Sequence, residues 1–423
     1  MRKIFRKTIF TGFGPNITPS TLITALSFLC LSWQWRQWRS GEAVQEVEQA
    51  LETYFGVPHA ITFDSGRSGL FFALQSLGIG PGDEVLVQAY TCVVVTNAIR
   101  WTGATAVFVD IRHDFTPDPI SIEKHISRQT KAIIIQHTFG FAADLTTILA
   151  IVKKYQLRVI EDCAHSFGGI YHEKKLGTFG DIGMLSFGTD KILSCVRGGA
   201  LITADETLAA KIRKYREALP FPPRRVVAQA LLFFPIFSLG KYVYRLGIGK
   251  IFLGLCKMLH ITPRIITTQE KKGGVDSRYP ARLPHALASI LLQDLKEVDE
   301  RNRHRQNIAA IYEKKLLPFG LIPASVQSLD HGNVPIYLRF PLLVPNATQL
   351  SHKLKQQGII VGDWYSTVIA PKDIDPTATS YQPGQCPNAE HAAKHSINLP
   401  THHAVSEEDA LVIANAVIHA LQT

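Results

Sequence analysis

Between residues 42 and 208 the chain alternates between two hydrophobic patterns. Segments with apolar residues at helical spacing, such as 44–55, 68–77 and 144–155, are separated by short and nearly continuous apolar runs. Such runs are typical of strands that are buried on both faces of a parallel sheet. The pattern therefore predicts an α/β fold with a mostly parallel sheet flanked by helices. The predicted strands are EVLVQ (84–88), TAVFVD (105–110), KAIIIQ (131–136), LRVIED (157–162), GMLSF (183–187) and GALIT (199–203).

Polar residues stand at the carboxyl ends of several of these strands, namely Asp110, His137, Asp162 and Ser186. Ligands of open α/β sheets bind outside the carboxyl ends of the strands. We therefore expect the functional site at this edge of the sheet.

The C-terminal part has a different pattern. Residues 283–317 predict a long helical stretch that is rich in charge, and IYLRFPLLV (336–344) follows it. Residues 347–357 predict an amphipathic helix, and residues 407–421 predict a final helix. This order predicts a smaller α+β domain. We divide the chain into an N-terminal segment (1–40), a large α/β domain (41–218), a hydrophobic basic insertion (219–264) and a small C-terminal α+β domain (265–423).

The N-terminal segment is uncharged from residue 8 to residue 35. Glycines and prolines interrupt it, and its most apolar part, residues 22–31, is too short to cross a bilayer. It also lacks the compact apolar core and small-residue cleavage site of a signal peptide. We expect this segment to pack against the body of the protein rather than to span a membrane.

The insertion combines many large apolar residues with Lys241, Arg245, Lys250 and Lys257. Two interpretations stay open. The first is a hydrophobic helical element that packs on the body or lies in an interface between subunits, since large exposed apolar patches are uncommon. The second is a helical flap in peripheral contact with an anionic membrane, because apolar bulk with lysine and arginine is what interfacial binding needs.

Composition narrows the class of protein. The chain has 423 residues, of which 46% are hydrophobic and 19% charged, which excludes a disordered chain and a coiled coil. A net charge of +10 favours an anionic partner. The six cysteines form no CxxC pair and no disulfide framework, so we expect reduced thiols in a cytoplasmic protein, at the inner membrane face if the insertion binds lipid.

Two weaker signals are better explained without a ligand. His391 and His395 lie four residues apart but have no third metal ligand arranged with them, so we predict no metal site. The arginines 301, 303 and 305 are interleaved with acidic residues, which indicates a solvated helix face rather than a nucleic-acid surface.

Three motifs together indicate a chemistry that none of them indicates alone. EDCAHS places Asp162 at the end of a buried strand, where it stays ionised only beside a cation. SFGTDK places Lys191 just after another strand end. FDSGRSGLFFAL (63–74) predicts a strand, a glycine turn and a helix start, whose backbone amides suit a phosphate. A phosphate anchor, a carboxylate and a lysine are the parts that bind pyridoxal 5'-phosphate.

The same residues carry a family resemblance. From residue 41 to residue 421 the chain resembles the DegT-type nucleotide-sugar aminotransferases, which are fold type I enzymes that use pyridoxal 5'-phosphate. The matching segments are SGRSGL (65–70), LGIGPGDEVLVQAYTCVVVTNAI (77–99), GATAVFVDI (103–111), QHTFGFAADL (136–145), VIEDCAHSFGGIY (159–171), GTFGDIGMLSFGTDK (177–191), RGGALIT (197–203) and INLPTHHAVSEEDALVIANAV (397–417).

The resemblance implies a role for each matching residue. Lys191 is the Schiff-base lysine and the proton shuttle, and Asp162 pairs with the protonated pyridine nitrogen. His165 replaces a glutamine that is usual beside the phenolic oxygen of the cofactor, where it can still donate a hydrogen bond. The phosphate is held by Ser186, by the turn at Gly66 and by the amides of Arg67 and Ser68.

Departures from the family pattern affect three places. Cys92 stands where many members have an aromatic ring stacked on the cofactor, and Tyr90 is the nearest candidate to replace it. Arg278 and Arg282 are candidates for the loop that a homodimer with shared active sites gives to the neighbouring subunit's cofactor phosphate. The insertion lies near that loop, so we expect it to alter the substrate pocket.

The predicted activity is transfer of an amino group, from L-glutamate, to a nucleotide-linked keto sugar in the synthesis of a cell-surface polysaccharide or a related glycan. Relatives that dehydrate sugars have histidine at the Schiff-base position, whereas this chain has Lys191. Arg67, His137, Arg278 and Arg282 are the candidate pocket cations for a diphosphate. The alternative is a non-transaminating protein of the same fold that binds the cofactor, or a membrane-associated regulator or scaffold.

Overall fold

The structure, a computed structural model, describes residues 8–12, 14, 16–244, 247–321 and 333–422. Residues 1–7 of the predicted N-terminal segment and Arg245 of the insertion lie outside the described residues. The α-helices are Pro19–Cys30, Ala43–Phe55, Gly66–Ser76, Val93–Trp101, Pro119–Lys124, Leu145–Tyr155, Glu206–Glu217, Arg224–Tyr242, Ile248–Met258, Thr268–Lys271, His285–Leu295, Val298–Leu316, Ala347–Gln356, Pro387–His395 and Glu407–Gln422. Short 3-10 helices are Ser32–Gln37, Thr138–Gly140, Leu317–Phe319 and Pro376–Ala378.

A seven-stranded sheet forms the centre of the large domain. Gly199–Thr203 runs antiparallel to both of its neighbours, and the other pairs in this sheet are parallel. The prediction of a mostly parallel sheet is therefore confirmed. From edge to edge the strands are His59–Phe63, Gly199–Thr203, Ile182–Ser186, Arg158–Asp162, Thr130–Gln136, Glu84–Gln88 and Thr105–Val109.

Both faces of this sheet are covered, which explains the continuous apolar runs. Along Thr130–Gln136, Ile134 belongs to one buried apolar cluster, whereas Ile133 and Ile135 belong to the other. Helices Gly66–Ser76 and Val93–Trp101 contribute to the first cluster, and Ala43–Phe55, Leu145–Tyr155 and His285–Leu295 contribute to the second.

Register across the sheet aligns three residues near its carboxyl edge. Asp162 pairs with Gln136 on one side and with Met184 on the other. Residues that are directly paired point to the same face of a sheet. Asp162 therefore has Gln136 and Met184 beside it on one face.

Smaller strand pairs join distant parts of the chain. Thr91–Cys92 pairs in parallel with Ile369–Ala370, which brings the C-terminal domain to the carboxyl edge of the large sheet. The remaining strands are Ile9–Phe10 paired with Ile359–Ile360, Phe340–Leu343 paired with Ser396–Leu399, and the three-stranded sheet of Asn333–Val334, Ile170–Tyr171 and Lys174–Lys175.

The helical stretch predicted over residues 283–317 forms as two separate helices. The first, His285–Leu295, ends near Asp294, which accepts a hydrogen bond from the Ser194 amide (2.8 Å) and forms an ion pair with Arg301. Asp294 is fully buried, so these two contacts tie the end of the first helix to the large domain and to the second helix, Val298–Leu316.

The N-terminal segment packs on the body, as the sequence predicts. Helix Pro19–Cys30 begins with a capping box at Thr18 and contacts helices Arg224–Tyr242 and His285–Leu295. Within the described residues, no helix combines the length and the hydropathy needed to cross a membrane.

The insertion contains two helices that differ in burial. Arg224–Tyr242 buries much of its apolar surface, including Val227, Leu231 and Phe234, so the packed interpretation holds for this helix. In Ile248–Met258, by contrast, only Gly249 and Cys256 are buried.

Candidate active site

A cavity of about 540 Å³ opens at the carboxyl edge of the large sheet, which is a usual size for a small-molecule site. Its lining includes Gln136 and Met184 on either side of Asp162, as the strand register requires. The structure thus brings together most of the predicted cofactor residues. Those lining the cavity are Gly66, Arg67, Cys92, Asp162, His165, Ser186 and Lys191.

Asp162 is the buried carboxylate of the cavity. It is 3% exposed, and its Oδ1 accepts a hydrogen bond from the Ala164 amide (3.0 Å). Burial raises the pKa of the Asp162 carboxyl above its usual value, and the Ala164 amide and the charge of Lys191 partly offset this effect. A cationic group in the cavity would favour the ionised carboxylate.

Lys191 supplies the amine of the cavity. Burial lowers the pKa of the Lys191 ammonium, an effect that Asp162 and Cys92 oppose. A lowered pKa increases the neutral fraction of the amine, and the neutral amine is the nucleophile. The Nζ atom lies 4.9 Å from the centre of the Trp364 ring, so the amine is held beside an aromatic surface.

His165 presents a hydrogen-bond donor at the cavity. Its Nδ1 accepts from the Phe139 amide (3.3 Å), which leaves the proton of the neutral ring on Nε2. Burial and the charge of Lys191 hold the pKa of His165 well below its usual value, so the ring is neutral. This arrangement suits the predicted hydrogen bond from His165 to a phenolic oxygen.

Trp364 and Tyr365 are aromatic residues of the cavity that the sequence analysis missed. Trp364 stacks on His165 with ring centres 5.1 Å apart, and the Arg339 guanidinium lies 3.5 Å from the centre of the Trp364 ring. Tyr365 places its hydroxyl 3.4 Å from Nε2 of His165. The local sequence offers only an adjacent aromatic pair in a loop, which is too weak a signal to assign to a site.

The turn at Gly66 forms a closely packed cradle against the strand Ile182–Ser186. A Cβ on Gly66 would lie 3.0 Å from the Cβ of Ser186 and 3.0 Å from the sulfur of Met184. Ser65 caps the helix that follows, because its hydroxyl accepts from the Ser68 amide (3.2 Å). The other backbone amides in the first turn of helix Gly66–Ser76, together with the Ser186 hydroxyl, are suited to binding a phosphate.

We expect the substitution Gly66→Ala to raise the Kd for pyridoxal 5'-phosphate about ten- to hundredfold, because the added methyl group must displace Ser186 or Met184. Fluorescence titration of the apoprotein measures this change. Gly254→Ala is the matched control, because a Cβ on Gly254 meets open space. An unchanged Kd in the Gly66 variant would contradict the assignment of the cradle.

Two buried ion pairs contact Tyr279 in the wall of the cavity. Arg67 pairs with Glu270, and Arg197 pairs with Asp64. The two guanidinium groups lie 4.7 and 3.8 Å from the centre of the Tyr279 ring. The Arg67 side chain also donates to the Ile265 carbonyl (2.7 Å), so it links the start of helix Gly66–Ser76 to the loop after the insertion.

Ser68 and Tyr90 take positions other than the predicted ones. The Ser68 hydroxyl bonds to Asp64 (2.7 Å) and its amide bonds to Ser65, so this amide serves the helix cap. Tyr90 is fully buried outside the cavity lining, and its hydroxyl accepts from the Tyr365 amide (2.8 Å). Tyr90 therefore positions the loop that carries Trp364 and does not replace the missing ring at Cys92.

His137 also lies outside its predicted position in the cavity. Its Nδ1 accepts from the Ala143 amide (3.1 Å), and its Nε2 donates to Glu161 (3.1 Å). Glu161 also accepts from the amides of Gly177, Phe179 and Gly180. His137 is thus fully buried and bonded at both nitrogens away from the cavity, so it is not available to bind a substrate.

Arg278 and Arg282 also lie away from the cavity of their own chain. Arg278 makes a two-bond contact with Asp276 (2.8 and 2.7 Å), and Arg282 donates to the Glu217 carbonyl. Their contact with a neighbouring subunit stays a prediction. The cations that line the cavity beyond the predicted set are Arg197, Arg264, Lys271 and Lys372.

Asn16 holds the backbone at Lys191, the predicted Schiff-base lysine. Its Nδ2 donates to the carbonyls of Lys191 and Ile192 (2.8 Å to the second), and its Oδ1 accepts from Arg305 (3.0 Å). More than 170 residues separate Asn16 from Lys191, so no local pattern could have identified this contact.

We expect Asn16→Ala to lower the rate of amino-group transfer at saturating donor about tenfold, because the carbonyls of Lys191 and Ile192 lose their donor and Lys191 loses its positioning contact. Stopped-flow kinetics measures the rate, and thermal unfolding shows the accompanying loss of stability. A purely structural role would lower the unfolding temperature and leave the rate of the folded protein unchanged.

The residues of the cavity fit pyridoxal 5'-phosphate. Asp162 is a buried carboxylate whose pKa burial raises, Lys191 is an amine of lowered pKa in the same cavity, and a glycine cradle faces Ser186. These features correspond to the ring nitrogen, the aldehyde and the phosphate of that cofactor. Lys191, Asp162, His165 and Ser186 are the residues that would hold it.

Comparison with known proteins agrees with this chemistry. The family described as DegT/DnrJ/EryC1/StrS aminotransferase matches residues 30–218 and 264–418, which leaves most of the insertion unmatched. GDP-perosamine synthase of Caulobacter vibrioides is 29% identical over 370 residues, 87% of this chain and 87% of that protein. A pleiotropic regulatory protein of Geobacillus stearothermophilus is 30% identical over 382 residues, 89% of each chain.

The solved structures show the same fold. A DegT DnrJ EryC1 StrS aminotransferase from Brucella abortus matches with a TM-score of 0.71 and 25% identity, over 96% of each chain. The family match spans most of the sequence, and the cavity contains the residues that its chemistry requires. The chain therefore belongs to the DegT/DnrJ/EryC1/StrS aminotransferase family and is a fold type I aminotransferase whose cofactor is pyridoxal 5'-phosphate.

Proposed function

We propose that this aminotransferase moves the amino group of L-glutamate to a keto group on the sugar of a nucleoside diphosphate, in the synthesis of a cell-surface polysaccharide or a related glycan. The observation that carries the proposal is the meeting of Lys191 and Asp162 in one cavity with the Gly66 cradle. The similarity to a GDP-perosamine synthase supports a nucleotide-linked sugar as acceptor.

The residues of the cavity have different roles in the proposed reaction. When bound, the cofactor withdraws electrons from the carbon that carries the amino group. Lys191 would hold the cofactor and would accept and release the proton of this carbon, as a neutral amine of lowered pKa can do. Asp162 would supply a negative charge to the protonated ring nitrogen, and His165 would donate from Nε2 to the phenolic oxygen.

Cations at the cavity suit an anionic acceptor. Arg264, the last residue of the insertion, lines the cavity together with Lys271 and Lys372 of the C-terminal domain. Lys271 pairs with Asp373, so that pair must open or share its cation with an incoming diphosphate. We propose these three residues as the diphosphate contacts in place of His137, while Arg278 and Arg282 serve a subunit contact in a homodimer.

The visible spectrum of the purified protein tests the donor step. We expect an absorption band from the lysine-bound cofactor, and we expect L-glutamate to bleach it while D-glutamate does not. Addition of a nucleotide-linked keto sugar then restores the band. Restoration of the band by this sugar would support a nucleotide-linked keto sugar as the acceptor.

The regulatory alternative makes the opposite prediction. A cofactor-binding protein that does not transaminate retains its visible band in the presence of every amino acid tested. That result, with an intact band, would overturn the proposed transfer. The absence of any band after incubation with the cofactor would remove Lys191 from its role as well.

A further inference from the structure

The second helix of the insertion turns its apolar side outward. Four large apolar residues of Ile248–Met258 are exposed, namely Ile248 (61%), Ile251 (66%), Leu255 (48%) and Met258 (65%). Leu259, the next residue, is 62% exposed. Soluble proteins rarely leave such a contiguous set of large apolar residues in water.

These residues form one continuous stripe. Positions 248, 251, 255 and 258 are separated by three, four and three residues, which places them on one side of an α-helix. Leu259 lies beside the first of them on the helical wheel. We call Ile248, Ile251, Leu255, Met258 and Leu259 the outer stripe.

Close backbone contacts fix the direction of the outer stripe. A Cβ on Gly249 would lie 2.2 Å from the Gly240 carbonyl oxygen, so this glycine allows the helix to approach Arg224–Tyr242 closely. Leu253 packs over Gly240 on the same side. The inner side of the helix is thus occupied by small residues and Leu253, and the outer stripe stays exposed.

The surface around the outer stripe is positively charged. The sequence contains no aspartate or glutamate between Glu217 and Glu270. Lys250 and Lys257, seven residues apart, lie together on one flank of the outer stripe. The acid known to interact with this flank is Asp373, whose carboxylate is already paired with Lys271.

The N-terminal helix extends the same composition. Pro19–Cys30 packs on Arg224–Tyr242, and the first acidic residue of the chain is Glu42. Ile23 of this helix is 66% exposed and Trp33, just after it, is 69% exposed. The N-terminal helix and the insertion on which it packs therefore both combine exposed apolar residues with an absence of acidic residues.

We propose that the outer stripe and its lysines dock the enzyme peripherally on an anionic lipid bilayer. Apolar side chains that enter the interface and lysines that face lipid headgroups are the two contributions that such binding requires. Tyr242, which is 89% exposed at the end of the neighbouring helix, has the amphipathic ring favoured at that depth.

Charge favours the bilayer over a second copy of this chain. A two-fold contact through the outer stripe would bring the same surface of two subunits together. Lys250 and Lys257 of both copies would then approach one another with no acid of the insertion to pair with. An anionic bilayer supplies the missing negative charge.

Vesicle flotation of the full-length holoenzyme tests the proposal. We expect the protein to float with vesicles of phosphatidylcholine mixed with phosphatidylglycerol and to stay behind with phosphatidylcholine alone. The double substitution Ile251→Glu with Leu255→Glu lowers the partition constant at least about tenfold. Ile120→Glu is the matched control, because Ile120 is an exposed isoleucine (79%) on a different helix.

Charge reversal and molecular mass complete the test. Lys250→Glu with Lys257→Glu removes the preference for phosphatidylglycerol, and both double variants retain the oligomeric mass and the visible spectrum of the parent protein. Failure of the folded parent to float with either vesicle overturns the proposal. A change of the Ile251/Leu255 variant from dimer to monomer in light scattering would also overturn it, since the outer stripe would then be an interface between copies.

Discussion

Replacement of Lys191 by alanine is expected to abolish amino-group transfer, with a fall of about 10⁴-fold in the rate of the donor step. Lys191 is the amine in the cavity whose pKa burial lowers, and we assign to it both the bond to the cofactor and the movement of the proton. The visible band of the lysine-bound cofactor disappears in the same variant. Stopped-flow absorbance with L-glutamate measures both effects.

A lysine outside the cavity provides the control for this variant. Lys175 is another lysine whose pKa burial lowers, and its Nζ donates to the Tyr54 carbonyl (2.6 Å). Lys175→Ala removes a comparable amine and is expected to retain the band and the rate. Persistence of the band and of transfer in Lys191→Ala would show that another residue performs the chemistry.

The substitution Asp162→Asn is expected to lower the rate of the donor step about 10²- to 10³-fold. Asparagine keeps the size of the side chain and an oxygen that can accept from the Ala164 amide. It cannot carry the negative charge that stabilises a protonated ring nitrogen. We expect the cofactor to bind more weakly, and the loss of rate to persist at saturating cofactor.

Asp181→Asn is the control for the aspartate. Asp181 lies just before the strand Ile182–Ser186, and it accepts from the Val159 amide (2.7 Å) and from Arg158 (2.8 Å). Its replacement removes an aspartate next to the same sheet that does not line the cavity. If the rate of Asp162→Asn at saturating cofactor equals that of Asp181→Asn, the charge of Asp162 has no catalytic role.

The repeating hydrophobic pattern predicted six of the seven strands of the large sheet and the edge at which the cavity opens; it did not give the edge strand His59–Phe63. Strands EVLVQ (84–88) and GALIT (199–203) match Glu84–Gln88 and Gly199–Thr203. Lys191 and Asp162 could be selected because both follow or end buried strands, and the carboxyl ends of parallel strands meet at one edge.

The error at His137 has a simple geometric cause. Successive side chains of a strand point to opposite faces of the sheet. Gln136 pairs with Asp162 across the sheet and shares its face, so it lines the cavity, whereas His137 bonds Glu161, the residue before Asp162. The sequence showed that His137 lies near the end of a strand. The face to which its side chain points depends on how the strands pair, which is seen only in the structure.

The aromatic and positioning residues needed the tertiary structure. Trp364 reaches the cavity because Ile369–Ala370 pairs with Thr91–Cys92, and Tyr90 binds the loop from the other side. Asn16 contacts Lys191 across 175 residues of sequence. Pairings at this separation depend on how the two domains fold together, so no local period or propensity encodes them.

The sequence by itself determined most of the repeated strands and helices, the edge of the sheet where the cavity opens, and the lysine and aspartate that we propose for the chemistry, because these follow from local periodicity and strand order. Only the tertiary structure decided which side chains enter the cavity and which way the insertion faces. Helix Ile248–Met258 has apolar residues around much of its circumference, and the close approach at Gly249 selects the side that stays exposed.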